Sequence, residues 1–301
     1  MKSKETRSLL ILLLTAAIWG LAFSDQRDAA GSLSPFTMGA WRYVIGTAVL
    51  APIALLSDLR AGRRWQRELK RAFKPGVLIG LILLAASTLQ QKGVELTSAG
   101  HAGFLTALYV VLVPILGRLF FGKTTSLGTW LALLLSVPAL YLLCGTEEGF
   151  SLSAGDFYIL LCAVFWALHI LFTDRFAGDV SPMWLCAVQF GCCGLLCLLC
   201  SAALEGQRLS DVLPVLWQIL YVGVFSTALG YTFQTVGQRD ANPAHAAIVL
   251  SMESVFSALF GALLLGERMG LRALIGSGLM LTAVILSQLS AMKAEKENGH
   301  V

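Results

Sequence analysis

A single carboxylic acid stands in the middle of a long apolar stretch of the sequence. Glu253 lies between the runs IVLSM and SVFSALFGALLL. A carboxyl group in such surroundings can carry a proton, bind a cation or accept hydrogen bonds from a ligand. It can also be structural, with a hydrogen bond from a serine or threonine of a neighbouring segment. Both interpretations require a polar partner, because an unpaired carboxylate is costly in an apolar environment.

Cysteines and histidines are the other residues whose chemistry needs an explanation, because thiolate and imidazole are common metal ligands. Four cysteines fall on one face of a predicted helix: Cys186, Cys193, Cys197 and Cys200. They extend along about 21 Å of that helix, which is too far to enclose one ion. The sequence therefore predicts free thiols, no metal site and no cofactor.

The composition places these residues in a membrane. Of the 301 residues, 56% are hydrophobic and 13% charged, whereas soluble domains carry about 25% charged residues. A transmembrane helix needs about 20 apolar residues. Ten stretches qualify, and they are 8–25, 36–57, 75–91, 98–120, 126–143, 156–173, 182–204, 212–235, 243–265 and 271–290. The short connections leave no room for a soluble catalytic domain, and their basic residues indicate membrane-flanking loops rather than a nucleic-acid surface.

The basic residues also predict the orientation. An even number of spans places both termini on the same side of the membrane. With the termini in the cytoplasm, most of the 22 Lys and Arg residues lie at the cytoplasmic face, as the positive-inside rule requires.

The two halves of the chain resemble each other. Residues 16–19 (AAIW) align with 163–166 (AVFW), and 34–35 (SP) with 181–182 (SP), at a spacing of 147; residues 88–90 (TLQ) align with 232–234 (TFQ) at a spacing of 144. Because five spans per half is an odd number, the second half enters the membrane with reversed polarity. The sequence thus predicts an all-α membrane protein of ten helices, built from two inverted five-helix repeats, 1–147 and 148–301. Inverted repeats are characteristic of secondary transporters.

Several motifs resemble those of the EamA-type transporters of the drug/metabolite transporter superfamily. They are GYTFQTVGQRDANPAHAAIVLSMESVFSALFGALLLGER, its first-half counterpart TSAGHAGFLTALYVVLVPILGRLFFGK, the early AAIWGLAF, and SPF with WRY at the second span. The resemblance covers the whole chain and implies a ten-helix carrier in a bacterial cytoplasmic membrane that moves a small metabolite. Two positions depart from the family pattern: Ser254 replaces a proline, and Lys123 replaces a glutamate.

Residue positions along the spans give the candidate site. Trp19, Tyr109, Trp166 and Glu253 fall near the membrane midplane, and His169 lies one turn from Trp166. We expect these five to line a central substrate cavity, although ordinary packing is the alternative for each aromatic. The symmetric pairs Gln90 with Gln234 and His101 with His245 are gate candidates, or else simple interfacial residues at span ends.

These features predict a secondary transporter of small metabolites that works by alternating access, as an exporter of amino acids or related organic compounds. A proton is the possible coupling ion. The alternative is a membrane-embedded enzyme acting on a lipid or isoprenoid substrate, but neither an HExxH metal site nor a GxSxG elbow occurs in the sequence.

Overall fold

The computed structural model describes residues 2–30, 32–97, 99–144, 153–206, 209–264 and 270–298, and within these ranges the chain is helical without strands. The first half contains α1 (Lys2–Ala30), α2 (Pro35–Arg60), α3 (Trp65–Leu96), α4 (Ala99–Ala107), α5 (Tyr109–Phe121) and α6 (Leu127–Cys144). The second half contains α7 (Ala154–Ala177), α8 (Pro182–Leu204), α9 (Leu209–Val212), α10 (Leu216–Tyr221), α11 (Thr232–Gln238), α12 (Pro243–Leu250), α13 (Glu253–Leu264) and α14 (Leu271–Asn298). A 3-10 turn, Leu213–Val215, precedes α10, and a π-helix, Val222–Tyr231, joins α10 to α11.

Eight helical segments of the described chain are long and apolar enough to cross a membrane. Two shorter apolar segments, Thr6–Ala22 and Leu127–Leu143, coincide with the first and fifth predicted spans. The protein is therefore a multi-pass membrane protein, as the composition predicts.

Local sequence signals fix where several helices begin. Ser34-Pro35 and Ser181-Pro182, which are equivalent in the two halves, place a proline in the first turn of α2 and of α8. Proline suits this position because the first N–H groups of a helix have no partner within the helix. Asn242 caps α12, where its Oδ1 accepts from the N–H of Ala244 at 3.0 Å.

Helices of the two halves pack directly against each other. The most extensive pairs are α2 with α8, α6 with α14, and α3 with both α7 and α8, while α1 packs on α13, α11 and the π-helix. Trp166 packs against three of the four hydrophobic clusters of the described chain, and Trp19 packs against two. These tryptophans therefore lie where the helix layers of the interior meet.

Carboxylates bind α2 to α8 at both ends of the pair. We call the side on which α2 ends and α8 begins the inner side, and the opposite side the outer side. At the inner side, Asp58 accepts from Trp184 Nε1 at 2.7 Å. At the outer side, Glu205 accepts from the N–H and the hydroxyl of Thr37, at 2.8 and 2.7 Å. The acids and their donors are each separated by the repeat spacing of 147, so the two contacts are related by exchange of the halves.

Candidate functional site

Two of the apolar segments are interrupted at equivalent points. The helical path stops at Leu108, between α4 and α5, and again at 251–252, between α12 and α13. Leu108 and Met252 are 144 residues apart, which is the spacing of the repeat. At both points a peptide N–H donates to the carbonyl three residues back, Leu108 to Leu105 at 3.3 Å and Met252 to Val249 at 3.1 Å. The interruption before Glu253 thus forms although Ser254 replaces the family's proline.

Each interruption places a candidate residue at the first position of a new helix. Tyr109 begins α5 and Glu253 begins α13. The backbone keeps right-handed helical dihedrals through both points, with φ −61° and ψ −11° at Leu108 and φ −66° and ψ −7° at Ser251, so each span continues past a local turn. Tyr109 and Glu253 are themselves 144 residues apart, so they are equivalent positions of the repeat.

Helix α1 approaches the second interruption closely. A Cβ at Gly20 would lie 2.7 Å from the carbonyl oxygen of Glu253 and 2.6 Å from Cβ of Phe256, so only glycine allows this contact. The Glu253 side chain is half-buried. Tyr109 and Met252, the residue before Glu253, belong to one buried hydrophobic cluster, so the starts of α5 and α13 lie in the same part of the core.

Tyr231 is the centre of an aromatic cluster that contains the other three predicted residues. Its ring centroid lies 5.0 Å from that of Trp19, 6.3 Å from that of Trp166 and 5.5 Å from that of His169. Phe190 completes the cluster at 5.7 Å. Three of the five predicted residues, Trp19, Trp166 and His169, thus pack around Tyr231. Tyr231 itself was missed because one tyrosine in an apolar stretch is no signal.

Polar atoms in this region lack partners among the described residues. Trp166 Nε1, the Tyr109 hydroxyl and His169 Nδ1 are buried without a hydrogen bond. His169 Nε2 lies 2.9 Å from Oε1 of Gln189; an amide oxygen only accepts, so Nε2 donates and Nδ1 is an acceptor in the neutral ring. A buried polar group without a partner costs about 1–3 kcal/mol. The region therefore offers two donors, an acceptor and a carboxyl group to a ligand.

The π-helix Val222–Tyr231 contacts the Trp19 side of the cluster. Its Ser226 carbonyl accepts from Trp19 Nε1 at 3.0 Å, and a Cβ at Gly230 would lie 2.5 Å from that same nitrogen. The equivalent first-half residues, 78–87, belong to the regular helix α3. π-helices of this kind are rare and often occur at functional sites. This segment breaks the symmetry of the two halves where Tyr231 enters the cluster.

Arg42 is buried in the interior, although it lies near the start of a predicted span. It is 7% exposed, and its Nε donates to the Thr227 hydroxyl of the π-helix at 3.2 Å. Its guanidinium lies 5.1 Å from the ring centroid of Tyr43. Hydroxyl groups and an aromatic face thus provide a polar environment for this cation inside the bundle.

The gate candidates differ in their surroundings. Gln90 is half-buried, and its amide donates to Thr106 at 3.3 Å. Gln234 and His245 are buried among protein side chains, and His245 Nδ1 lies 2.8 Å from the Ser287 hydroxyl. His101 belongs to α4, but its side chain lies outside the described part of the structure.

An ion pair joins the two halves at the inner side. Lys123, just after α5, binds the carboxylate of Asp174 near the end of α7. The Asp174 side chain is largely buried. The family-atypical lysine at 123 thus makes a specific contact with the other half of the chain.

Comparison with known proteins places this arrangement in a family. The model of the EamA-like transporter family matches residues 6–145 and, a second time, residues 153–289. The chain belongs to the EamA-like transporter family. The resemblance seen in the sequence is confirmed, and the protein is a membrane transporter.

Several relatives match this EamA-like chain over nearly its whole length. An uncharacterized transporter of Archaeoglobus fulgidus is 29% identical over 278 residues, 92% of this chain and 84% of the relative. The uncharacterized transporter YvbV of Bacillus subtilis is 24% identical, over 97% and 94% of the two chains. A WAT1-related chloroplastic protein of Arabidopsis thaliana is 23% identical, over 92% and 68%. A protein of known crystal structure shares the fold, with a TM-score of 0.75 at 17% identity over 96% of this chain and 98% of that one.

Proposed function

We propose that the protein is a secondary transporter that exports amino acids or related zwitterionic compounds by alternating access. The observation that carries the proposal is a buried cation and a carboxyl group beside one aromatic cluster. Arg42 donates to Thr227 of the π-helix that ends at Tyr231. Glu253 begins α13 where that helix packs on Gly20, next to Trp19. A cation can bind the carboxylate of a substrate and a carboxyl group can bind its amine. Trp19, Trp166 and Tyr231 supply aromatic faces for the side chain.

The unpartnered atoms support a polar ligand at this place. Trp166 Nε1 and the Tyr109 hydroxyl can donate to it, and His169 Nδ1 can accept from it. A purely apolar substrate would leave these groups without a partner, at the cost of each unmade hydrogen bond. Glu253 can also bind a proton that is transported together with the substrate, because its ionisable carboxyl group lies beside the cluster.

Helix packing supports two inverted five-helix repeats, 1–147 and 148–301, each with five spans. When each helix is replaced by its equivalent in the other half, the pair α3–α7 becomes the pair of the π-helix and α1. In the same way, the pair α3–α8 becomes the pair of the π-helix and α2. In all four pairs the helices pack against each other. The same exchange converts α2 with α8, and α6 with α14, into themselves. A carrier with this symmetry can open to the two sides in turn by equivalent movements.

Contacts between the halves suggest which surfaces move. In alternating access, a gate contact on one side breaks when that side opens. The carboxylate contacts between α2 and α8 are formed on both sides in the same structure. We therefore assign α2 and α8 to a fixed pair, two helices that do not move against each other. The Lys123–Asp174 ion pair occurs on the inner side, and we assign it to an inner gate together with Gln234 and His245. Gln90 and His101 belong to the outer gate.

The orientation is testable without a substrate. We propose a bacterial cytoplasmic membrane with both termini in the cytoplasm. Cysteines introduced at Gln66 and Asn298 should then react with an impermeant maleimide only from the cytoplasm, and one at Glu148 only from outside. Labelling of 66 and 148 from the same side would contradict the inverted repeat.

A thermal-shift screen of the purified protein against metabolite classes tests the substrate proposal. Amino acids should stabilise the protein, whereas the matching amino-acid esters and des-amino acids should bind about 10- to 100-fold more weakly, because each lacks one charged partner. Hits are then tested for uptake into proteoliposomes. Stabilisation by uncharged or singly charged compounds alone would contradict the zwitterion proposal.

A further inference from the structure

The start of α3 extends beyond the membrane as a strongly basic helix. This helix has 32 residues, about 48 Å of length, against a hydrocarbon thickness of about 30 Å. The predicted span begins at residue 75, so 65–74 lie outside the hydrocarbon. Seven cations occur between Arg60 and Lys74 with one acid, Glu68, whereas the rest of the chain contains more acidic than basic residues. All seven cations are exposed.

The basic extension is held in place by the bundle. Trp65 stacks on Trp184 of α8 with ring centroids 6.4 Å apart. Arg71 Nη2 donates to the carbonyl oxygen of Asp179, in the connection between α7 and α8, at 2.7 Å. The extension is therefore a fixed surface rather than a free tail, and its cations keep a defined spacing.

Four cations form one face of this helix. Arg67, Lys70, Arg71 and Lys74 are three or four residues apart and so project from the same side. The opposite side packs inwards through half-buried Trp65 and Leu69 and buried Ala72 and Gly76. Among the described residues, Arg67, Lys70 and Lys74 make no ion pair with an acid. We call this face, Arg67, Lys70, Arg71 and Lys74, the basic face.

The equivalent part of the second half shows that the fold does not require a basic face. At the repeat spacing of 144 it corresponds to residues 209–218, LSDVLPVLWQ, which contain no cation. That segment exposes Leu213 and Trp217 instead. The fall of the repeat spacing from 147 to 144 reflects the length of α2, which has 26 residues against 23 in α8. The cations of the basic extension are thus a feature of the first half.

We propose that the basic face binds the headgroups of anionic phospholipids in the adjacent leaflet. The extension is about 15 Å long, which keeps its cations within the headgroup layer and just beyond it. Clusters of four to eight cations immediately outside a transmembrane helix attract anionic lipids, with about a fivefold gain in affinity for each cation. Phe73, 58% exposed, lies beside Lys74 at the hydrocarbon boundary, where an aromatic ring is favoured.

Native mass spectrometry of the full-length protein in detergent tests the proposal, with phosphatidylglycerol and phosphatidylcholine as probes. The wild-type protein should bind phosphatidylglycerol more tightly. The triple variant R67Q/K70Q/K74Q should lose about 100-fold of that affinity, with phosphatidylcholine binding and the melting temperature unchanged. Arg60, Arg63, Arg64 and Arg71 remain to preserve the orientation of the loop.

The matched control is R118Q/R175Q/R239Q, which removes the same charge from scattered positions near the predicted inner face and should keep the affinity within about twofold. Equal binding of the two lipids by the wild type would overturn the proposal and leave the cations as orientation signals. Equal losses in the two triple variants would assign the effect to net charge. Displacement of phosphatidylglycerol by dilute polyglutamate would instead indicate an acidic polypeptide as the partner.

Discussion

A covalent bond between α2 and α8 is expected to leave transport intact, although it joins the two halves of the protein. A Cβ at Gly39 would lie 3.5 Å from Cβ of Cys197 and 2.7 Å from its Sγ. Disulfides have Cβ–Cβ distances of about 3.5–4.5 Å. Cys197 is free and fully buried. The variant G39C can therefore form a disulfide with the native Cys197 while the helices move very little.

The expected magnitude follows from which contacts have to break. The Gly39–Cys197 contact lies between the two carboxylate contacts that hold α2 and α8 together on both sides, so we expect it to persist through the transport cycle. Transport after oxidation should stay within about twofold of the reduced variant, a change of less than about 0.4 kcal/mol in the barrier. A disulfide in K123C/D174C crosses the proposed inner gate instead. Since that contact has to open, oxidation should reduce transport to the level of empty liposomes.

The assay is counterflow of the substrate found in the thermal-shift screen, with both variants in proteoliposomes. Copper phenanthroline forms the disulfides, dithiothreitol reverses them, and maleimide gel shifts measure the extent of cross-linking. G39C/C197A is the control that cannot form this cross-link. If oxidation of G39C stops transport and reduction restores it, while the control is unaffected, α2 and α8 move against each other and the fixed-pair reasoning is wrong.

The other predictions concern the site and the gates. E253Q removes the ionisable proton but keeps the size of the side chain, so transport driven by a pH gradient should be lost while substrate counterflow persists; gradient-driven transport at the wild-type rate would make Glu253 structural. G230V places a side chain against Trp19 Nε1, which should weaken substrate binding about tenfold in a thermal-shift titration, whereas normal affinity would remove Trp19 from the site. The bulky side chain of Q90W should favour the outward-open form, and that of Q234W the inward-open form. The measurement is the accessibility of a cavity cysteine to reagents added on one side. If accessibility changes in the same direction in both variants, neither residue belongs to a gate.

The sequence predicted those parts of the protein that depend on local chemistry and on periodicity. The spans predicted to begin at residues 36 and 182 correspond to α2 and α8, which begin at Pro35 and Pro182, since proline suits the first turn of a helix. Depth along a span follows from a constant rise per residue. For this reason Trp19 and Trp166 could be placed near the midplane, and His169 one turn from Trp166, before their packing around Tyr231 was known.

Rotation about the helix axis was harder to predict than depth. A long cation near a span end satisfies its charge equally well in headgroups or against inward-facing hydroxyls, and the sequence of α2 alone does not distinguish the two for Arg42. The choice depends on Thr227, which is 185 residues away. The orientation of Thr227 depends in turn on the π-helix, because the wider turn of a π-helix changes which residues face inward. The regular period used to predict helices from sequence assigns the inward face incorrectly after such a turn. Tyr231, the last residue of the π-helix, was therefore the site residue that sequence reasoning was least able to find.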